Sequence, residues 1–258
     1  MKLKVYPFYL VSTAREDRTM LICVAANSLL VGFCGAYLLL AYRVLHPHPI
    51  LTVSALIVAY YLADIASGLV HWATDTWFSE RQFGRLIAIA REHHTHPANI
   101  LGYRFLENAT LGSPPSALLI GPLAILIACL PWSAALYAAM IVLGVISLTL
   151  LFGTSLHNIG HRKVRSPILR LGQRLRLFIT PAYHHVHHRG DQTTRYCTVN
   201  GWANPLLDGI GFWRRLERLV SAATGSIPRE DDVRWQSHYR DTGTMIVLAR
   251  ESESRAHG

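Results

Sequence analysis

A chain of 258 residues that is 51% hydrophobic, with mean hydropathy +0.24, is too apolar for an ordinary soluble domain and too short for several domains. Its net charge of +9, from 25 lysines and arginines against 16 acidic residues, suits nucleic acid, anionic lipid or the loops of a membrane protein. The basic residues are not interleaved with a stacking platform of aromatics, which excludes a nucleic-acid partner.

Residues 1–19 form a polar lead, expected to be loosely ordered. Four apolar runs follow, at about 20–42, 50–70, 115–130 and 132–153. A bilayer core of about 30 Å needs roughly 20 helical residues, so the first, second and fourth runs suffice and the third is short but usable. None carries the charged face of a soluble helix. The first run has too long a polar lead and too long an apolar stretch for a cleaved signal, and reads as an anchor that stays. The segment 71–114 mixes aromatics, charges and histidines and ends at Ser113-Pro114-Pro115, a helix-boundary signal. The last two spans turn at Pro131, and 155–236 is a second polar segment. Within it, Gly211 to Val220 is amphipathic and is expected at the membrane surface, with Phe212 and Trp213 at headgroup level. Residues 237–258 are a charged tail. The expected architecture is a single domain over 1–258, an all-α integral membrane protein of four transmembrane helices with a cytosolic histidine-rich di-metal cap.

Charge asymmetry orients it. With four spans, 1–19, 71–114 and everything after 154 share one side. Of the 25 basic residues only Arg43 lies in an opposite-side connection, so the shared side, with both termini and the metal site, reads as cytosolic. Cys23, Cys34 and Cys129 fall in spans and Cys197 stands alone, with no CxxC and no disulfide framework.

The histidines carry the chemistry. His71 ends the second run, and Asp75 is one helical turn beyond it. His93 and His94 are adjacent, so on a helix they point about 100° apart and can serve two metals, or one metal from two directions. His157 and His161 form HxxxH at the end of the fourth run, a chelating spacing. His184, His187 and His188 form HxxHH, again one face of a helix. Imidazole ligates iron, zinc and copper. A catalytic zinc takes three protein ligands and a structural one four, so eight histidines, with Asp75 as a further candidate, suit two five- or six-coordinate ions. The Glu-x-x-His pairs of soluble di-iron bundles are missing, and the pattern points to a histidine-rich di-iron centre instead. His46 and His48 lie on the opposite side, His238 and His257 in the tail, and His96 and His185 each adjoin a better candidate. Asp64, seven residues before His71, costs about 2.5–3.5 kcal/mol inside a span and is expected to accept an N–H bond from a ligating histidine. Asn204 is expected to orient a ligand or a bound water.

Such a centre serves a lipid desaturase or hydroxylase. A zinc-dependent membrane hydrolase and a non-catalytic metal- or haem-binding protein are the rivals, the hydrolase needing only about three ligands.

The chain also resembles the plasmanylethanolamine desaturase family, to which plant plastid lipid desaturases are related. The resemblance rests on Ala63-Asp64, Ser67 to Trp72, Asp75-Thr76-Trp77, Arg91 to His94 with Pro97, the His157/His161 pair and His184-x-x-His187-His188. It continues through Tyr196-Cys197, Gly201 to Asn204, Gly211 to Glu217, Thr224-Gly225, Pro228-Arg229, Asp231-Asp232 and Trp235, covering about 60–236. It implies conversion of a 1-O-alkyl ether phospholipid to its 1'-alkenyl form. It also implies the use of O2 and two electrons from a cytochrome b5-type or ferredoxin-type donor. The family's histidine boxes fall on the same eight histidines. His96 and His185 are not part of them, and Tyr183 stands where some relatives have a further histidine.

Overall fold

The structure is a computed structural model that describes residues 14–83, 85–95, 97, 99–102, 105–189 and 192–229. Every regular element among them is helical. Helices α1 (Ala14–Leu45) and α2 (Pro49–Thr76) form a hairpin. His48 closes it: its Nδ1 accepts the Ile50 N–H at 3.2 Å while Pro49 opens α2 without an orphaned donor. Short helices α3 (Glu80–Phe83) and α4 (Arg85–Thr95) lead to a 3-10 turn at Asn99–Gly102. Then α5 (Phe105–Pro115), a π-helical turn (Ser116–Ile120) and α6 (Gly121–Ala128) run on as one rod. Helix α7 (Ala134–Ile159) returns, capped by Ser133, whose Oγ accepts the Leu136 N–H at 3.2 Å. The polar end is finished by α8 (Pro167–Arg174), α9 (Pro181–His184), α10 (Asn204–Gly209) and α11 (Phe212–Thr224).

Four stretches are long and apolar enough to cross a bilayer: Arg18–Leu45, Pro49–Thr76, Asn108–Ala128 and Ala134–Ile159. The shortest has 21 residues, about 31 Å of helix. The protein is thus a multi-pass membrane protein, all-α, with its polar elements gathered at one end of the spans.

Three sequence expectations need correction. Residues 14–19 of the lead are already helical. Helix α2 runs on to Thr76 and α7 to Ile159, so His71, Asp75 and His157 ride on the spanning helices themselves. The Ser113-Pro114-Pro115 signal does not end a helix. The rod passes through it by widening: the Gly121 N–H reaches back five residues to the Ser116 carbonyl. A π turn absorbs the donor that proline lacks, and neighbouring hydroxyls satisfy what is left. Ser113 Oγ donates to the Ala109 carbonyl at 2.6 Å, and Ser116 Oγ donates to Asn27 Oδ1 of α1 at 2.7 Å. Asn27, fully buried, donates from Nδ2 to the Ser147 carbonyl of α7 at 3.3 Å. One amide therefore ties α1, the broken rod and α7 together inside the apolar layer, where an unpaired polar group would be costly.

Helix α7 packs against α1, α2 and α5 and is the centre of the bundle. Buried Ala41, Ala55, Ala59 and Ala124 let the helix backbones approach, around a core of Tyr37, Tyr137, Met140 and Ile141. Leu29, Leu39, Ile57, Leu118, Leu119 and Ile125 point outward and are exposed, as lipid-facing side chains are. The tightest crossing is α5 on α7, where a Cβ on Gly112 would stand 2.2 Å from the Leu150 carbonyl oxygen. Gly112→Ala is therefore expected to lower stability by about 1–3 kcal/mol. Gly32→Ala, whose Cβ meets nothing within 4 Å, should be neutral. Thermal unfolding of the two variants in detergent checks this.

Candidate metal centre

The polar cap is fastened to α2 along about two turns, from Asp64 to His71. The irregular run 196–203 lies antiparallel to the helix. His71 meets Tyr196, Gly68 meets Cys197, Ser67 meets Thr198, and Asp64 meets residues 199 to 203. A Cβ on Gly68 would lie 2.6 Å from Cys197 Sγ, so only glycine admits the run this close. Non-helical backbone beside a membrane-spanning helix must find partners for its amides. Asp64 supplies most of them. Its Oδ1 accepts the N–H groups of Val199, Asn200 and Gly201 at 3.0–3.1 Å, and its Oδ2 accepts that of Ala203 at 3.1 Å. Asn204 closes the turn by accepting from the Cys197 N–H at 3.0 Å and donating to the Cys197 carbonyl at 2.9 Å. The expectations that Asp64 bonds a histidine and that Asn204 orients a ligand or water are corrected. Both side chains hold backbone, because an extended run leaves its amides unpaired where a helix would not.

That run orients the histidines it touches. The Tyr196 carbonyl accepts from His71 Nδ1 at 3.0 Å, and the Thr194 carbonyl from His187 Nδ1 at 2.5 Å. A proton fixed on Nδ1 leaves the Nε2 lone pair of each ring free to bind a cation. Arg229, 1% exposed, pins the same corner. Its Nε donates to the Asp75 carbonyl at 2.8 Å and its Nη2 to the Tyr196 hydroxyl at 2.7 Å. Trp213 of α11 is buried against Trp72 and Tyr196, with ring centroids 6.4 and 4.9 Å away. Its ring is therefore packed inside the cap, where its amphipathic stretch had suggested contact with the membrane surface. The Trp72 and Tyr196 rings give it more apolar contact than an interface would.

All eight histidines singled out in the sequence converge, in two adjoining groups. His93, His157, His161, His184 and His188 form the first; His71, Asp75, His94 and His187 form the second. Within each group one ligand atom per residue lies within 4.8 Å of all the others. The sequence pairs are split between the groups. Adjacent His93 and His94 go to different ones, as their directions on α4 allow. His184 and His188 go to the first group and His187 to the second. The short α9 ends at His184, so HxxHH occupies a turn and not one helical face. His157 and His161 stay together, with Nε2 atoms 3.1 Å apart. His185 is exposed and in neither group, His96, His238 and His257 lie outside the described residues, and His48 is the cap of α2.

The residues present fit bound metal. His157 Nε2 lies 3.0 Å from that of His93, 2.6 Å from that of His184 and 3.1 Å from that of His161. A neutral imidazole nitrogen carries at most one proton, so hydrogen bonds cannot satisfy this convergence. Ligands about 2.1 Å from one ion and at right angles stand roughly 3 Å apart, which is the observed spacing. In the second group Asp75 Oδ2 lies 2.8 Å from His94 Nε2, 3.3 Å from His71 Nε2 and 3.9 Å from His187 Nε2. Burial, then the neighbouring imidazoles, holds His93, His184, His187 and His188 well below the usual histidine range, and brings His161 to about 4. These rings stay neutral, the form that ligates.

A cavity of about 60 Å³ opens beside the groups, between α2, α4, α5, α7 and the 196–203 run. Val70, Ile89, Ile100, Leu111 and Leu150 make it largely apolar, while His71, His93 and His157 form its metal-side wall. Its lining suits an apolar ligand set against the histidines.

Asp64→Asn puts an amide NH2 against backbone donors. The expected result is a cap detached from α2 and loss of bound metal, at about 1–3 kcal/mol in stability. Metal per protein by atomic emission, alongside thermal unfolding, reads both effects.

Residues 60–231 match the family model described as the lipid desaturase domain. The plasmanylethanolamine desaturase of Myxococcus xanthus is 32% identical over 79% of this chain and 71% of its own length. Plasmanylethanolamine desaturase 1 of Mus musculus is 31% identical over 73% and 72%. Fatty acid desaturase 4-like 2, chloroplastic, of Arabidopsis thaliana is 29% identical over 66% and 60%. No solved structure matches the chain. The matched segment contains the whole run from Tyr60 through the two histidine groups to Arg229, and on that ground the chain belongs to the lipid desaturase family.

Proposed function

We propose that this protein is a plasmanylethanolamine desaturase that introduces the 1'-alkenyl double bond of plasmalogens. The observation that carries the reading is the pair of adjoining buried groups, nine ligand side chains in all, beside an apolar cavity at the ends of membrane-spanning helices. The relatives that share most of the chain carry that name.

Two iron ions fit the nine side chains, one held by His93, His157, His161, His184 and His188, the other by His71, Asp75, His94 and His187. Bound there, iron would supply the strong oxidant that an unactivated alkyl C–H requires. In the overall reaction one hydrogen leaves each carbon of an O–CH2–CH2 unit. O2 takes those two hydrogens with two further protons and two electrons, giving two waters and O–CH=CH. The protein's own part is to keep the imidazoles neutral, fix the tautomers of His71 and His187 through backbone carbonyls, and exclude water by burial. The electrons come from a donor of cytochrome b5 or ferredoxin type. The excess of basic residues outside the spans, read by the positive-inside rule, supports a cytosolic side for the histidine groups and both termini.

An acyl-lipid desaturase or hydroxylase is the second reading, since the same metal groups serve it. A zinc hydrolase needs only about three ligands, and the nine present argue against it.

Cells expressing the chain and fed a 1-O-alkyl glycerol should accumulate acid-labile ether lipids lighter by two hydrogens, only in the presence of oxygen. His184→Ala should abolish them, and His185→Ala, exposed and outside both groups, should leave them unchanged. Lipid mass spectrometry reads the result. Persistence of the product in His184→Ala rejects the metal assignment. Its absence in the wild type, with iron bound and a donor present, moves the reading to an acyl-lipid substrate.

A further inference from the structure

The cavity wall holds four hydroxyl side chains, and two of them are already committed. Ser67 Oγ donates to the Asp64 carbonyl at 2.7 Å and accepts the Thr198 N–H at 3.2 Å. Thr74 Oγ1 donates to the carbonyls of Val70 and His71, both at 3.0 Å. The hydroxyls of Thr154 and Thr198 have no hydrogen-bond partner among the described residues, although the two residues are only 8% and 4% exposed. A threonine within a helix ordinarily returns its proton to a carbonyl one turn back, and Thr154 does not. Thr154 stands one turn before His157, on the same face of α7. Thr198 stands two residues beyond Tyr196, whose carbonyl orients His71. Two unspent hydroxyls thus border the metal-side wall of an otherwise largely apolar cavity.

Hydroxyls that line an apolar cavity lose water when a ligand fills it, which is costly unless the ligand supplies a partner. The middle of an alkyl chain supplies none. The glycerol-linked end of a lipid does, since its ether or ester oxygens accept hydrogen bonds one or two bonds away from the first chain carbons. We infer that Thr154 and Thr198 are substrate-binding, specificity-determining residues. They donate to the glycerol-linked oxygens, so that the first carbons of the chain, and not its middle, face the histidines. Gly153 leaves the wall open beside them, since a Cβ there meets nothing within 4 Å. This inference rests on the ether-lipid reading and explains how such an enzyme would choose its carbons.

The test uses the full-length enzyme in its iron-loaded form with a 1-O-alkyl phospholipid. Thr154→Val and Thr198→Val keep the shape and remove the donor. Each is expected to lower kcat/KM by about 2- to 10-fold with iron content unchanged, and the double variant should make a wider spread of double-bond positions. Thr154→Ser, which restores the hydroxyl, should recover most of the loss, which a packing role for the threonine methyl would not. Valine variants that make the vinyl ether at the wild-type rate, or a serine variant no better than valine, overturn the assignment. A wild-type enzyme that desaturates only acyl chains overturns the ether reading itself, a separate outcome read from the same lipid spectra.

Discussion

A carboxylate inside a membrane-spanning helix is the constraint on which the rest depends. Asp64 spends its charge on four backbone N–H groups of a run that could not otherwise lie beside α2. Fixing that run fixes the Tyr196 carbonyl, hence the tautomer of His71. It also brings Tyr196 under the guanidinium of Arg229 and the ring of Trp213. The cap is therefore not a separate layer resting on the bundle. It is continuous with α2 over about two turns, from Asp64 to His71, and the candidate metal groups form at that seam.

The metal groups draw their ligands from four places: the end of α2, α4, the end of α7, and the turn after α9. Two of the four, α4 and the turn after α9, contribute to both groups, while the end of α2 supplies only the second and the end of α7 only the first. Burial makes the imidazoles poor bases, so they remain neutral and available. Arg229 and Asp75 set opposite charges beside the second group, on the same corner of the cap. The first group has histidine ligands alone, and the second includes a carboxylate. The two positions thus offer different electrostatic environments.

Membrane architecture and chemistry meet through α7. Its packing against three other spans makes it the rigid reference of the bundle, and it carries Leu150, Thr154 and His157 along one path from apolar layer to metal groups.

What the sequence determined by itself was whatever depends on local pattern. Hydropathy gave the four spans, because about 20 apolar residues in a helix have few other stable settings. Histidine spacing gave the eight converging side chains, and the resemblance gave the family. The tertiary structure decided what local pattern cannot carry. His93 and His94, like His187 and His188, fall into different groups because four separate elements meet there, and spacing within one element says nothing about the others. Pro114 and Pro115 read as a stop, but a π turn and the hydroxyls of neighbouring residues carry the rod through. Asp64 read as a histidine's partner because they share a helix face. Its real partners lie more than 130 residues away in the chain, where backbone amides had no other acceptor.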